Sequence, residues 1–435
     1  LIGMLGLNSA VFFQFRRIDD LDRRRTMAGS AVLMALGASA VVGAAGVLAS
    51  APVAAAVLRD RGYAPAVALA FVGLPLTVGA SMAMDLLRLE FRPVAFSVLG
   101  IGRSVAANAI GVILVVFYGW GVAGMVGAQA ALSGVALIVG LWLTRRSWTA
   151  ALDRRVVMRM LAFGLPLVPA GLAYWVMSYS DRFFVVQFRG LQDAGIYAMA
   201  NKIAQVVQLA VFAFSTAWWP FAYAEAARDP NHRVLFARVF TAAAVGLSLI
   251  AVALGLLARE LLIVATTPAF VAAYAYVGIL GFALAVNGLY QVVSIGVALA
   301  DRTWHTAWTS GVAALVNVIL NLVLIPMLGI AGAAGSTLVA YSVSAVLVYR
   351  VAQRTYPIPY QRRTPLIVMT AALAILLGGL FLDSRVGGTM VSAPITAAKL
   401  VGLTAIALLG LRLMRLSPRT LALKVIALRH GTTGP

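Results

Sequence analysis

The sequence predicts an all-α polytopic membrane protein of about twelve transmembrane helices, arranged as two parallel pseudo-symmetric lobes. First, 62% of the 435 residues are hydrophobic and only 11% are charged, whereas about a quarter of the residues in a soluble protein are charged. Second, apolar stretches of about 20 residues recur along the whole chain. Third, a glycine-rich motif occurs once in each half of the chain. Together these observations exclude a water-soluble fold.

The apolar stretches are each long enough to cross a bilayer as a helix. They lie at about 29–58, 64–86, 93–117, 120–143, 159–187, 193–217, 236–258, 270–299, 304–325, 330–349, 365–382 and 394–414. The loops between them are no longer than about 20 residues, which is too short for a folded domain outside the membrane. We therefore expect the function to be carried out within the bilayer.

The basic residues are concentrated in alternate loops, which predicts the orientation of the chain. Loops rich in lysine and arginine face the cytoplasm, and 25 of the 34 lysines and arginines lie in one set of loops. The opposite loops contain only five arginines, and Lys399 lies near the start of a helix on the same side. The arginines are Arg59, Arg61, Arg189, Arg259 and Arg385. The net charge of +20 thus reflects topology, and we expect no nucleic acid as a partner. The C-terminus is predicted to be cytoplasmic.

Several classes of enzyme and pump are excluded by residues that the sequence lacks. It contains no cysteine, so disulfides and cysteine-based zinc, haem or iron–sulfur sites cannot form. The three histidines are scattered, and neither an HExxH motif nor a phosphate-binding loop ending in GK[ST] is present. We expect no metal site, no cofactor and no ATP-driven step within this chain.

An internal repeat predicts two homologous lobes. The motif Gly121–Ala128 recurs as Gly329–Ser336, and each copy follows a short turn and opens a helix that ends in basic residues. Because both copies occur at the same point of the predicted topology, the two lobes are parallel rather than inverted. The alternative is that these small residues only permit close helix packing.

The offset between the two copies predicts three regions. Residues 1–150 form an N-terminal lobe, 151–355 a C-terminal lobe, and 356–435 two additional transmembrane helices with a basic cytoplasmic tail. The same offset places Leu1 in the middle of a helix of the second lobe. We therefore expect that about fifty residues, one helix and a half, precede Leu1 in the natural protein.

Three cations lie within predicted spans and are the first candidates for a substrate site. Charged residues inside a membrane usually face a cavity and a partner. Arg103 and Lys202 lie about nine or ten residues into their helices, and Arg182 lies in the outer part of its helix, next to Asp181. Since adjacent helical residues point about 100 degrees apart, Asp181 and Arg182 each need a separate partner. An interfacial, structural role for both is the alternative.

Polar side chains next to Lys202 predict one wet helix face. Lys202, Gln205 and Gln208 are spaced at i, i+3 and i+6, with Asn201 beside them. The alternative is a seam of hydrogen bonds between packed helices. A second amide pair, Asn287 and Gln291, is expected to form packing hydrogen bonds.

The order of motifs in the second half resembles the polysaccharide-biosynthesis (Wzx-like) flippases of the MATE-like, or MOP, transporter superfamily. The motifs are Gly164-Leu165-Pro166, Ser180-Asp181-Arg182-Phe183, Gly190, Gly195-Ile196-Tyr197, Lys202-Ile203-Ala204 and Ala217-Trp218-Trp219-Pro220-Phe221. The repeated glycine motif, Asn317, Asn321 and Pro326 also fit, and the resemblance covers essentially the whole chain.

The resemblance implies a transporter of about fourteen helices, not an enzyme, in the bacterial cytoplasmic membrane. Such proteins move undecaprenyl-diphosphate-linked oligosaccharide to the outer leaflet for O-antigen or exopolysaccharide synthesis. Arg103, Arg182 and Lys202 would then form a cationic cavity for the diphosphate, supported by Asp181, Asn201, Gln205 and Gln208. Rocking lobes, H+ or Na+ as coupling ion, surrounding membrane lipids, and a polysaccharide polymerase or other assembly proteins as partners are further expectations from the family.

Three alternatives remain open at this point. A lipid II-type flippase for peptidoglycan precursors would also use a cationic cavity. An ion-coupled MATE-type antiporter of small molecules would need carboxylates there, and Asp181 is the one deep acid. A membrane glycosyltransferase or O-antigen polymerase would need a large outer loop or an acidic catalytic motif, which the short loops disfavour.

Overall fold

The computed structural model describes residues 20–164, 168–300, 304–385 and 392–414. Within these ranges the regular structure is helical, with no strand, and eleven helical segments are long and apolar enough to cross a membrane. The prediction of an all-α polytopic membrane fold is therefore confirmed. By its internal contacts the chain divides into a first unit, Leu1–Leu172, and a second unit, Ala173–Pro435.

The helices of the first unit follow the predicted apolar stretches. They are α1 (Leu21–Leu48), α2 (Ser50–Val53), α3 (Ala64–Val72), α4 (Leu74–Leu89), α5 (Pro93–Val116), α6 (Gly121–Leu143) and α7 (Arg154–Gly164). Short π-helical and 3-10 turns at Ala54–Leu58 and Arg61–Tyr63 connect α2 to α3.

The second unit begins within α8 (Val168–Arg189) and contains the remaining helices. They are α9 (Leu191–Arg228), α10 (His232–Leu256), α11 (Ala258–Ala265), α12 (Tyr274–Leu299), α13 (Trp304–Leu328), α14 (Ile330–Thr355), α15 (Arg363–Ser384) and α16 (Ala393–Leu413). A 3-10 turn, Pro268–Ala273, precedes α12.

The stretch at 159–187 differs from the prediction of one span, because its described parts belong to two helices, α7 and α8. Met160 of α7 is buried in the same apolar cluster as Met27 of α1, so α7 packs with the first unit. The division after Leu172 thus lies beyond the boundary at residue 150. Leu165 and Pro166, and the basic tail beyond Met414, lie outside the described residues.

Exposed apolar side chains on the helices mark surfaces suited to lipid. Along α5, Val94, Val98, Ile101 and Val105 follow helical spacing and are each more than half exposed. In water such a stripe would favour association, whereas hydrocarbon accepts it without cost. The buried face of α1 is built from small residues such as Ala28, as expected where helices pack closely within lipid.

Helix α12 is the centre of the second unit. Its buried residues occur all around the helix, which is typical of a helix surrounded by other helices. Glycines allow α10 to approach it: a Cβ on Gly255 would lie 2.6 Å from the Cα of Gly278 and 2.5 Å from a methyl group of Leu376 on α15. Close packing of α10 and α12 therefore requires glycine, which has no side chain, at positions 255 and 278.

The two copies of the repeat share two local features. Gly121 and Gly329 both adopt a positive φ, +51° and +60°, a conformation that glycine adopts without steric cost, and both lie where a helix begins. Gly124 and Gly332, which the repeat aligns, both lie against the preceding helix. The repeat is therefore a turn-and-packing motif in each unit.

The last two helices pack on the second unit through apolar contacts and a buried ion cluster. Leu376 of α15 and Ile406 of α16 belong to the same core cluster as Leu256 of α10. The Lys399 ammonium lies 2.8 Å from a Glu260 carboxylate oxygen on α11 and 2.7 Å from Asp383 on α15. This cluster joins the last two helices to Glu260 of α11, which lies more than 100 residues earlier in the chain.

Candidate functional site

A cavity of about 480 Å³ in the second unit collects most of the polar residues that the sequence singles out. We call it the Arg182 cavity. Its walls come from α8, α9, α12 and α14: Met177, Ser178, Tyr179, Asp181, Arg182, Asn201, Gln205, Gln208, Leu209, Phe212, Leu280, Leu284, Thr337 and Tyr341. Five of the seven residues named from the sequence therefore line one cavity.

Asp181 in the wall of this cavity accepts hydrogen bonds from donors on three helices. Its side chain is 1% exposed and accepts hydrogen bonds from the Tyr197 hydroxyl on α9 and from the Thr337 hydroxyl on α14, at 3.4 Å. The backbone N–H of Arg182 donates to it at 2.8 Å. A buried carboxylate requires such partners, so Asp181 joins α8, α9 and α14.

Arg182 does not form an ion pair with a described carboxylate. Its guanidinium lies over the Tyr179 ring, 5.2 Å from the centroid, and its buried Nε has no hydrogen-bond partner among the described residues. The Arg182 side chain contacts Tyr179, whereas the Asp181 side chain bonds to Tyr197, Thr337 and the Arg182 backbone. The guanidinium thus retains unused donors on the wall of a cavity, and a phosphate oxygen would satisfy them.

The cavity face of α9 differs slightly from the predicted stripe. Asn201, Gln205 and Gln208 line the cavity at i, i+4 and i+7, which keeps them on one face of a helix with 3.6 residues per turn. Lys202 is exposed and is not one of the lining residues. The buried Gln208 Oε1 has no partner among the described residues, so the face retains an unused acceptor.

Arg103 belongs to the first unit, on α5. Its Nη1 donates to the Ser133 hydroxyl on α6 at 3.1 Å, and the Ser133 hydroxyl lies 3.4 Å from that of Thr77 on α4. The buried Nε of Arg103 has no partner among the described residues, and none of their carboxylates pairs with it. Arg103 is therefore a second half-buried guanidinium with a free donor.

A second cavity of the second unit, of about 390 Å³, adjoins the first at Met177 and Tyr341. We call it the amide cavity. Its lining is Met177, Trp219, Tyr223, Asn287, Tyr290, Gln291, Ser294, Ala298, Thr306, Ser310, Tyr341 and Ser344. Contrary to the expectation of packing hydrogen bonds, neither the Asn287 nor the Gln291 side chain bonds to a described residue, and both residues line this cavity.

The candidates named from the sequence do not include Thr337 and Tyr341, which line the cavities, or Tyr197, which donates a hydrogen bond to Asp181. Tyr197 was visible only as part of a motif, while Thr337 directly follows the second copy of the repeat and Tyr341 lies one turn further on. Contacts such as Asp181 to Thr337 join residues 156 positions apart, and no spacing rule reports them. Among the described residues, no cluster of three or more histidines or acids could hold a metal ion.

Residues 3–232 match the sequence family described as "Polysaccharide biosynthesis protein". That match covers more than half of the chain and includes Arg103, Asp181, Arg182 and the polar face of α9. No curated protein compared with the sequence matches it.

Solved transporter structures share the fold. A structure of the lipid II flippase MurJ in an inward closed conformation matches with a TM-score of 0.72 at 12% identity, over 95% of this chain and 89% of that one. An inward-facing multidrug resistance MATE transporter of the MOP superfamily matches with a TM-score of 0.62 at 16% identity, over 81% and 87%. A MOP superfamily transporter from Pyrococcus furiosus matches at 0.53 and 14%, over 81% and 83%.

Proposed function

Because the chain belongs to the polysaccharide biosynthesis protein family, we propose that it is a flippase for undecaprenyl-diphosphate-linked oligosaccharide. It would carry this lipid across the cytoplasmic membrane for the synthesis of cell-surface polysaccharide such as O-antigen or exopolysaccharide. The observation that carries the proposal is the Arg182 guanidinium, which lines a cavity with an unpartnered buried nitrogen.

A guanidinium in this position suits a diphosphate. Arginine offers planar donors that match phosphate oxygens, and it keeps its charge in any accessible pH range. The partly buried charge of Arg182 carries a desolvation penalty, and a bound anion would offset that penalty. The amides of Asn201, Gln205 and Gln208 line the same cavity and can donate to further phosphate or sugar oxygens.

The other two cations have more limited roles in the proposal. Arg103 would offer an anion contact within the first unit, where Ser133 accepts a hydrogen bond from one of its nitrogens. Lys202 is exposed and lies outside the Arg182 cavity, so we assign it a weaker role in attracting the anionic lipid. Exposed charges act over a distance of about 8–10 Å at ordinary salt concentrations.

The remaining parts of the proposal come from the family and from the charge distribution. We place the protein in the cytoplasmic membrane with its C-terminus in the cytoplasm. It acts as a transporter rather than an enzyme, with entry of H+ or Na+ as its energy source. A polysaccharide polymerase and other assembly proteins would use its product.

The nearest competing function is a lipid II-type flippase. The MurJ fold similarity supports it only at the level of fold, and its substrate offers the same diphosphate to Arg182. In an antiporter of small cations, Arg182 and Arg103 would repel the transported cations unless acidic residues paired with the two arginines. The two flippase functions differ in the glycan, so the test must identify the lipid that accumulates.

We would deplete the protein in its host and complement it with wild type, Arg182→Gln, or Arg189→Gln as the matched control. Arg189 lies on the same helix but pairs with Asp193 at 3.9 Å and is outside the cavity. Intact undecaprenyl-linked glycan should accumulate on the cytoplasmic leaflet after depletion. Arg182→Gln should leave at least a tenfold deficit in export, since a charge-assisted contact contributes about 1.5–3 kcal/mol.

The chemical identity of the accumulated lipid decides between the functions. Accumulation of lipid II, with loss of peptidoglycan synthesis, would replace the proposal by the peptidoglycan function. If no lipid-linked glycan accumulates and efflux of cationic dyes falls, the flippase function is wrong and only the fold remains.

A further inference from the structure

The amide cavity shares two lining residues, Met177 and Tyr341, with the Arg182 cavity, yet its chemistry differs. Among the described residues that line it, none carries a charge. Its polar groups are amides and hydroxyls, and its apolar groups include four aromatic rings, those of Trp219, Tyr223, Tyr290 and Tyr341. A cavity next to a cation site but without charge of its own suits a neutral, polar ligand.

The polar groups are aligned along one face of each helix. On α12, Asn287, Gln291 and Ser294 follow the i, i+4, i+7 spacing that keeps them on one face. Across the cavity, the Tyr290 hydroxyl lies 3.4 Å from the Ser310 hydroxyl of α13. Donors and acceptors therefore occur on two walls of the same space.

The two amides are available to a ligand. Asn287 is 5% exposed and Gln291 is half-buried, and neither side chain bonds to a described residue. An amide carries two donors and an acceptor with two lone pairs. Leaving these groups without hydrogen bonds in a low-dielectric interior costs free energy. A ligand or water with hydroxyl groups would recover that cost.

The aromatic wall adds a surface for flat, weakly apolar groups. The rings of Trp219 and Tyr223 lie side by side, with centroids 6.2 Å apart, one turn apart on α9. A sugar ring combines hydroxyls, which each donate and accept, with a face of C–H groups that packs on an aromatic ring. A polyprenyl chain would use the rings but would leave the amides unpaired.

We propose that the amide cavity binds uncharged sugar units of the lipid-linked oligosaccharide, next to the Arg182 cavity that binds the diphosphate. The inference rests on the proposed function and names a part of the substrate that the cation site alone does not select. The shared residues Met177 and Tyr341 place the two binding regions in contact, as a sugar directly bonded to a diphosphate requires.

The test measures binding of two lipids to the purified protein. One is undecaprenyl diphosphate, and the other is the undecaprenyl-diphosphate-linked glycan extracted from the host. Wild type should bind the glycan-bearing lipid more tightly. Gln291→Met keeps the volume of the side chain but removes its hydrogen bonds, and should reduce that preference about tenfold while affinity for undecaprenyl diphosphate stays unchanged.

Two further variants keep the result interpretable. Asn287→Leu repeats the test at the neighbouring position, in case Gln291→Met does not fold. Gln192→Leu removes an exposed amide of α9 outside both cavities and should change neither affinity.

Each adverse outcome has a different meaning. If both cavity variants keep the full preference for the glycan-bearing lipid, the sugar does not bind here and this inference is overturned, while the proposed function stands. If both variants bind both lipids more tightly, the cavity holds the polyprenyl chain instead. If wild type binds neither lipid, or if Arg182→Gln changes neither affinity, the proposed function itself fails.

Discussion

At the scale of single residues, the contacts of Asp181 explain why a carboxylate is tolerated inside the second unit. Three donors surround its two oxygens, and one of them, Tyr197, is fully buried. Asp181→Asn should lower the free energy of unfolding by about 1–3 kcal/mol, because its NH2 group would meet donors where an acceptor is needed. Thermal unfolding of the purified protein in detergent measures the loss.

A double-mutant cycle with Tyr197→Phe separates this contact from general destabilisation. If Asp181 and Tyr197 interact directly, the double variant should lose less than the sum of the single losses, with a coupling of about 0.5–3 kcal/mol. Additive losses would show that the two side chains stabilise the unit independently.

The acid dependence of stability can be predicted at Glu260, which lies on α11, outside the candidate membrane spans. Burial alone raises the pKa of Glu260, but the hydrogen bond and charge of Lys399, together with hydrogen bonds from the backbone and from Thr396, lower the pKa below its ordinary value of 4.5. The ionised form thus stabilises the fold above pH 4.5, and this contribution is lost as the pH falls through the lower, folded-state pKa.

Melting temperatures of the wild type and of Glu260→Gln, measured from pH 6 down to about pH 3, test this sign. The difference in stability between them should be largest near pH 6 and should shrink as the pH falls. A difference that grows on acidification would contradict the role given to Lys399.

The limits of sequence reasoning are clearest at these residues. The helical period selected Gln205 and Gln208 together, since residues on one face of a helix are determined locally. It did not distinguish Asn201 from Lys202, because which neighbour faces the cavity depends on how α9 is rotated against other helices. The amide cavity was missed for the same reason: Asn287 and Gln291 could equally have faced a packed helix.

At the scale of the elements, the repeat glycines make a packing prediction. A Cβ on Gly332 would lie 2.2 Å from the backbone oxygen of Leu324, whereas Gly335 has no atom within 4 Å of that position. Gly332→Ala should therefore destabilise the protein by about 1–3 kcal/mol through overpacking of α13 and α14. Gly335→Ala, the matched control, should be neutral or slightly stabilising.

Thermal unfolding of both alanine variants tests the repeat as a packing motif. Equal effects at the two glycines would mean that helix propensity, rather than the close approach of α13 to α14, controls stability there.

The ion cluster predicts how firmly the last two helices are attached. Lys399→Met should cost about 3–5 kcal/mol, because Asp383, whose side chain is 1% exposed, would keep a buried charge without a partner. The triple variant Glu260→Gln, Asp383→Leu, Lys399→Met should recover most of that loss, because the three charges of the cluster are removed together. If the triple variant is as unstable as Lys399→Met, loss of packing rather than of charge pairing is the cause.

Element positions were largely predictable because lipid imposes one rule on every span. Backbone groups within hydrocarbon must bond internally, so an apolar stretch of sufficient length becomes a helix. The stretch at 159–187 was the exception. Its N-terminal part belongs to α7, whose charged first turn and buried Met160 make it a helix of the first unit.

At the scale of the whole molecule, the orientation of the chain is testable without background labelling, since the sequence has no cysteine. Ala150 lies in a loop predicted to be cytoplasmic, and Thr267 in a loop predicted to be outside, and both are exposed. In intact cells, a membrane-impermeant maleimide should label Thr267→Cys. It should label Ala150→Cys only after the membrane is opened.

If Ala150→Cys is labelled in intact cells and Thr267→Cys is not, the topology is the opposite of the predicted one. Since the positive-inside rule is the sole basis of the predicted orientation, that result would also reverse the proposed direction of transport.

Helix α9 has a mechanical consequence that its length alone sets. Its 38 residues extend about 57 Å, and one face lines the Arg182 cavity while a later turn lines the amide cavity. Pro220 has no backbone N–H, so it interrupts the helical hydrogen bonds beside the amide cavity. A bend of α9 is therefore easiest at this residue. A bend at this residue would displace each other residue in proportion to its distance from the bend. Asn201, far along the helix, would therefore move much more than the adjacent Trp219.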